Sequence, residues 1–97
     1  MPTYVALVRW TNQGLQNVKQ SPSRLDAARK AFEAGGAKLK DFYMVMGQYD
    51  MVFVAEAPDD ATLAKAVLNL TSKGNVQTET LRAFTEDEYK KILSGIG

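Results

Sequence analysis

Chemistry in this chain must come from a short set of side chains. The sequence contains no histidine and no cysteine. That removes the commonest general base, a thiolate nucleophile, Cys-ligated metals and a His axial ligand for haem. Asp50 is the foremost catalytic candidate. It closes a Gly47-Gln48-Tyr49-Asp50 turn between two apolar runs, Phe42–Met46 and Met51–Ala55. A carboxylate held against apolar surface can act as a base or bind a cationic group. Tyr43, on the same hairpin, offers a phenolic acid or hydrogen-bond donor. Trp10 can wall a pocket, and Thr11, Asn12 and Gln13 after it can orient a ligand. Arg82 and Arg9 can anchor a substrate carboxylate.

Each of these residues also has a plainer use. Aspartates near turns bond backbone, and Thr, Asn and Gln in loops do the same. Trp10 serves equally well as interface packing. The arginines have Asp50, Glu56 and Glu79 as structural partners. Glu56 and Glu79 stand alone in the sequence, too sparse for a metal site. No metal and no cofactor is expected.

The elements that position these residues follow from periodicity and turn chemistry. Thr3–Trp10 is rich in β-branched and aromatic residues and reads as a strand. The polar stretch Thr11–Gln20 reads as a loop. Ser21-Pro22-Ser23 opens a helix with Leu25, Ala28 and Phe32 as its apolar stripe, an Asp26–Lys30 pair on its surface, and Gly35-Gly36 as its end. Two strands follow, about 38–46 and 49–56. Gly47 suits the first central position of a two-residue type II′ turn between them. Asp59 caps a second helix, with Leu63, Ala64, Val67, Leu68 and Leu70 as a broad apolar face and Gly74 as its stop. Residues 75–84 form a fourth strand. Thr85-Glu86-Asp87-Glu88 is a capping box that opens a short C-terminal helix bearing Tyr89, Ile92, Leu93 and Ile96.

The order β-α-β-β-α-β with right-handed crossovers predicts an α+β, ferredoxin-like domain. It has a four-stranded antiparallel sheet with both main helices on one face. The hairpin register puts Phe42 opposite Phe53, Met44 opposite Met51 and Val45 opposite Asp50. Alternation then sends Phe42, Met44, Met46, Tyr49, Met51 and Phe53 towards the helices. The other face carries Asp41, Tyr43, Val45, Asp50, Val52, Val54 and Glu56. Neither face of the fourth strand is plainly the core face, so its orientation stays open. An apolar patch centred on Val45, Val52 and Val54 calls for a partner, and a second copy packed face to face would supply it. Such a homodimer has room for a pocket with a few polar groups.

Length and charge narrow the alternatives. Ninety-seven residues make a single domain, and 12 basic against 11 acidic side chains leave a net charge of +1. That balance gives no general attraction to nucleic acid or anionic membrane. No apolar stretch approaches a membrane span, and the first residues lack a signal-peptide pattern, so a cytoplasmic location is expected.

Several segments carry a family likeness. Arg9–Gly14, Met46-Gly47-Gln48-Tyr49-Asp50, Glu56-Ala57-Pro58-Asp59 and Gly74–Phe84 resemble, in that order, segments of the GYD-domain family. This chain departs from the literal Gly-Tyr-Asp signature by placing Gln48 between Gly47 and Tyr49. The resemblance implies a dimeric α/β barrel. It says little about activity, because that superfamily includes cofactor-free oxygenases, isomerases, haem enzymes and ligand-sensing modules. The expectation is a homodimeric small-molecule-binding protein. A catalytic version would be a cofactor-independent oxygenase or isomerase that uses Asp50 and Tyr43. The alternative is a non-catalytic oligomerisation or effector-sensing module.

Overall fold

Strand β1 (Thr3–Trp10) buries alternate residues: Tyr4, Ala6 and Val8 face inward, while Val5, Leu7 and Arg9 face the other way. That period of two fixes one side of the sheet as core. In the computed structural model, which describes residues 1–97, β1 is followed by a short helix, α1 (Asn12–Gln16), and a 3₁₀ turn (Val18–Gln20). The first long helix, α2 (Ser21–Ala34), leads to the hairpin β2 (Lys38–Met44) and β3 (Met51–Glu56). Helix α3 (Asp60–Thr71), strand β4 (Val76–Ala83) and helix α4 (Glu86–Ser94) complete the chain. The four strands form one sheet in the order β2-β3-β1-β4, and every neighbouring pair is antiparallel. This is the expected α+β, ferredoxin-like arrangement. The stretch after β1, expected as a loop, instead forms α1 and the 3₁₀ turn. The 3₁₀ turn runs directly into α2, so neither Ser21 nor Ser23 caps that helix.

Helices α2 and α3 cover the inward face. Phe32 of α2 is 1% exposed and meets Phe53 of β3 edge to face, with ring centroids 5.7 Å apart. Leu63 and Ala66 of α3 complete the core with Val67 and Leu70 beside them, an i, i+3, i+4, i+7 stripe. Ala66 thus replaces Ala64 in the core, and Leu68 points to solvent. On α2, Asp26 pairs with Arg29 rather than Lys30.

The helix ends follow local chemistry. Gly36 adopts φ 92°, where a Cβ would be strained. This lets the N–H of Ala37 reach the Phe32 carbonyl and the N–H of Gly36 reach that of Glu33, a Schellman closure. Asp59 caps α3 by accepting from the Thr62 N–H at 2.7 Å. Hydrogen bonds from the Thr62 hydroxyl and then its backbone N–H hold the Asp59 carboxyl below its ordinary range. A lowered folded-state pKa stabilises the fold at neutral pH, and that stabilisation is lost as pH falls through it. Asp59→Ala is therefore expected to lower the melting temperature by a few degrees at pH 7. The difference from the parent protein should vanish in acid, as melts from pH 7 to pH 3 would show. A constant gap would assign the cap's effect to something other than the carboxylate.

Helix α4 is different. Thr85 accepts from the Glu88 N–H at 3.2 Å while Glu88 accepts from the Thr85 N–H at 2.9 Å, the expected capping box. Yet no residue of α4 is buried, and Tyr89, Ile92 and Leu93, with Ile96 beyond its end, stay exposed. The radius of gyration is 14.6 Å. A compact chain of this length has about 12.5 Å, so α4 projects from the body.

Candidate functional site

The hairpin register is the expected one: Phe42 opposes Phe53, Tyr43 opposes Val52 and Met44 opposes Met51. The Val45 N–H bonds the Asp50 carbonyl at 2.9 Å, and there the β2–β3 pairing ends. Gly47 takes φ 119° within the loop. Alternation does not carry through it. Met46 is 93% exposed rather than packed beneath the helices, and Met44 is exposed at the sheet edge. Tyr49 crosses to the side of the sheet opposite α2 and α3. Its hydroxyl donates to Glu79 of β4, and the Arg9 guanidinium lies over its ring at 4.7 Å. The hydrogen bond to Glu79 raises the Tyr49 pKa, so the phenol keeps its proton at neutral pH.

The Asp50 carboxylate accepts from the Trp10 N–H at 3.0 Å, and the Asp50 N–H donates to the Val8 carbonyl at 2.9 Å. Asp50 therefore ties the hairpin to the last turn of β1, where the ladder would otherwise fray. Asp50→Ala should cost about 2 kcal/mol, and Asp50→Asn less because its amide oxygen still accepts. Urea melts of both variants check this; equal stabilities for the three proteins would remove the tie.

Thr11 and Gln13, expected on a ligand, bond backbone. The Thr11 hydroxyl donates to the Gly74 carbonyl at 2.6 Å and accepts from the Gly14 N–H at 3.1 Å. The Gln13 amide donates to the Lys73 carbonyl and the Asn75 side chain, both at 3.1 Å. Both residues pin α1 to the turn before β4. Arg82 donates to the Thr3 and Ala83 carbonyls and stacks over Phe84 at 4.5 Å. It lies opposite Tyr4, at the far end of β1 from Trp10. Tyr43 is 60% exposed on the edge strand. Thus Trp10, Asp50, Thr11 and Gln13 gather at one end of the sheet, and Arg82 is remote from them.

Pairing with β1 orients β4. Thr78 opposes Val8, Thr80 opposes Ala6 and Arg82 opposes Tyr4, so these three share the helix side. The other side of the sheet then carries two rows: Asp41-Val54-Val5-Leu81 and Tyr43-Val52-Leu7-Glu79. Their middles are apolar, and neither α2 nor α3 covers them.

The same parity places Trp10 on the helix side, with Tyr4, Ala6 and Val8. There it walls an apolar cleft between the start of α2 and the sheet, with Leu25, Phe42 and Met51. Its indole Nε1 is buried without a partner. Such an orphan donor costs about 1–3 kcal/mol. Sequence reasoning had the signal for this cleft, because Trp10 keeps step with the inward residues of β1.

Comparison with known proteins agrees with the fold. The GYD domain model matches residues 4–93. The chain belongs to the GYD-domain family. It is 39% identical over 84 residues to the "Glutamine synthetase and cystathionine beta-lyase binding protein" of Thermus thermophilus, covering 86% of this chain and 88% of that protein. A crystal structure of TTHA0845 from Thermus thermophilus is 29% identical, with a TM-score of 0.57 over 88% of this chain and 95% of that one. The M. tuberculosis feast or famine regulatory protein complexed with L-methionine superposes with a TM-score of 0.64 at 16% identity, over 90% of this chain but 54% of that one. At that identity the likeness concerns the fold alone, and this GYD domain spans about half of the regulator. No helix of the chain is long and apolar enough to cross a membrane.

Proposed function

We propose that this GYD-domain protein is a homodimeric small-molecule-binding module that pairs through the uncovered face of its sheet. The observation that carries this reading is the pair of apolar rows through Val54, Val5 and Leu81 and through Tyr43, Val52 and Leu7. An apolar patch spanning four strands is unusual on a monomer. A two-fold arrangement would place the same rows on each other, as an isologous interface requires. Polar groups ring the rows: Arg9, Tyr49 and Glu79 at one end, Lys40 and Glu56 at the other. Binding rather than catalysis is the better reading because the foremost base, Asp50, spends its carboxylate on a backbone N–H.

A second reading rests on α4. Its exposed apolar side chains suit a groove on another protein, a known mode of helix recognition. The relative's name as a binding protein for two enzymes agrees with that.

Native mass spectrometry of the purified protein tests the proposal. The expected result is a dimer, or a dimer-based assembly, carrying a stoichiometric small molecule. A ligand-free monomer at micromolar concentration would overturn it. Capture of purified glutamine synthetase, lost on Ile92→Asp, would favour the second reading.

A further inference from the structure

The cleft beside Trp10 is built differently from the uncovered sheet face. Its wall is almost wholly apolar: Val8, Leu25, Ala28, Phe42, Met51 and Leu70. Counting its open mouth, it encloses about 450 Å³. Towards solvent it widens into a bay bounded by Val18, Pro22 and Met44. A cleft of this size and composition suits a small organic molecule.

Two polar groups distinguish it from a simple packing defect. The first is the Trp10 Nε1–H, buried without an acceptor in the cleft wall. The second is Arg24, which lines the same cleft. Its guanidinium donates to the Asn17 carbonyl at 2.8 Å and the Gly14 carbonyl at 3.3 Å. None of the chain's ion pairs includes Arg24. Two carbonyl oxygens fix the guanidinium in place but leave its charge without an anion. A guanidinium has five N–H donors, so capacity remains. An unmatched cation and an unmatched donor on an apolar wall are complementary to one ligand chemistry: a carboxylate on an apolar body.

We propose that this cleft binds a small apolar monocarboxylate. The hydrocarbon part lies along Leu25, Phe42 and Met51, and the carboxylate meets Arg24 with the Trp10 N–H as a further donor. Because Nε1 is shielded in the empty cleft, the wall must part slightly on binding. The inference rests on the reading of the protein as a small-molecule-binding module. It makes the cleft, not the sheet interface, the ligand site.

Octanoate is the probe, with 1-octanol as its uncharged counterpart. Trp10 is the sole tryptophan, so its emission and its indole N–H resonance report on this cleft alone. The expected result is a saturable 1:1 titration that moves the indole resonance downfield. Octanol should bind at least ten-fold more weakly. Arg24→Gln should weaken octanoate at least ten-fold and leave octanol unchanged. If that variant unfolds, nuclear Overhauser contacts from octanoate methylenes to Leu25 and Phe42 in the parent protein decide the matter. Equal binding of octanoate and octanol would overturn the carboxylate assignment. An indole resonance that octanoate leaves in place, or that stays bonded to a long-lived water, would overturn the site. If octanoate fails while the purified protein carries another stoichiometric small molecule, the cleft assignment falls and the binding-module reading stands.

Discussion

Val5→Lys is expected to convert a dimer into a monomer without unfolding it. Val5 sits on an inner strand, between Val54 of β3 and Leu81 of β4, on the face that α2 and α3 leave bare. In the isolated chain the substitution is mild. The lysine stem can lie along Val54 and Leu81 while its ammonium stays in water. In a face-to-face dimer the same ammonium enters the middle of the interface, and two-fold symmetry brings two of them. Desolvating an unpaired charge costs several kcal/mol per ion, so association should weaken by at least ~100-fold. Sedimentation velocity at micromolar concentration is the measurement, with circular dichroism as the folding control. A parent dimer and a folded Val5→Lys monomer are the expected pair. If both proteins sediment as dimers, the sheet face is not the interface, and the exposed side chains of α4 become the place to look.

The register behind that argument was legible in the sequence because two signals agree there. The alternation through Phe42–Met46 and Met51–Ala55 and the Gly47 turn give the same pairing, and the chain adopts it as far as Val45 and Asp50. Beyond that point the alternation misleads. The Asp50 N–H and carboxylate are both drawn to β1, which leaves Tyr49 free to swing across the sheet to Arg9 and Glu79. That choice depends on strand order, which no local pattern encodes. The orientation of β4 was hidden for a related reason. Thr78, Thr80 and Arg82 are no more apolar than Gln77, Glu79 and Leu81, and only pairing with β1 separates them.

The site residues divide in the same way. Composition identified Trp10, Asp50, Thr11, Gln13, Tyr43 and Arg82 as the capable side chains. Their grouping is set by contacts far apart in sequence. Trp10 and Arg82 have the same parity on paired strands, yet the register puts them at opposite ends. Thr11 and Gln13 read as free loop donors because their acceptors, at Lys73–Asn75, are some 60 residues away. Helix α1 went unread for the same reason. Five residues carry no periodicity of their own, and so short a helix is held by its cap and by tertiary contacts.

That dependence makes Gly14→Ala the most damaging small substitution in the chain. In a solvent-facing helix, replacing Gly by Ala gains about 1 kcal/mol from propensity. Here the added Cβ would lie 2.1 Å from the Asn75 carbonyl oxygen and 3.2 Å from the Trp10 ring. The nearer obstacle is backbone, so no rotamer change relieves it. To make room, α1 must lift from the turn, and that puts its anchors at risk: the Thr11 N–H to Asn75, the Thr11 hydroxyl to Gly74, and the Gln13 amide to Lys73 and Asn75. Each such bond contributes about 0.5–1.5 kcal/mol. Their loss exceeds the propensity gain, and the expected result is a destabilisation of about 2–4 kcal/mol, with the melting temperature lower by roughly 10–20 °C. Gly35→Ala is the matched control. It ends α2 at φ −89°, and its new Cβ would come no closer than 3.5 Å to any neighbour. That change should be neutral or stabilise by up to about 1 kcal/mol. Denaturant melts of the two variants should therefore move in opposite directions. A Gly14→Ala protein as stable as the parent would mean that α1 does not seat on Asn75, and the wall of the Trp10 cleft would lose its support with it.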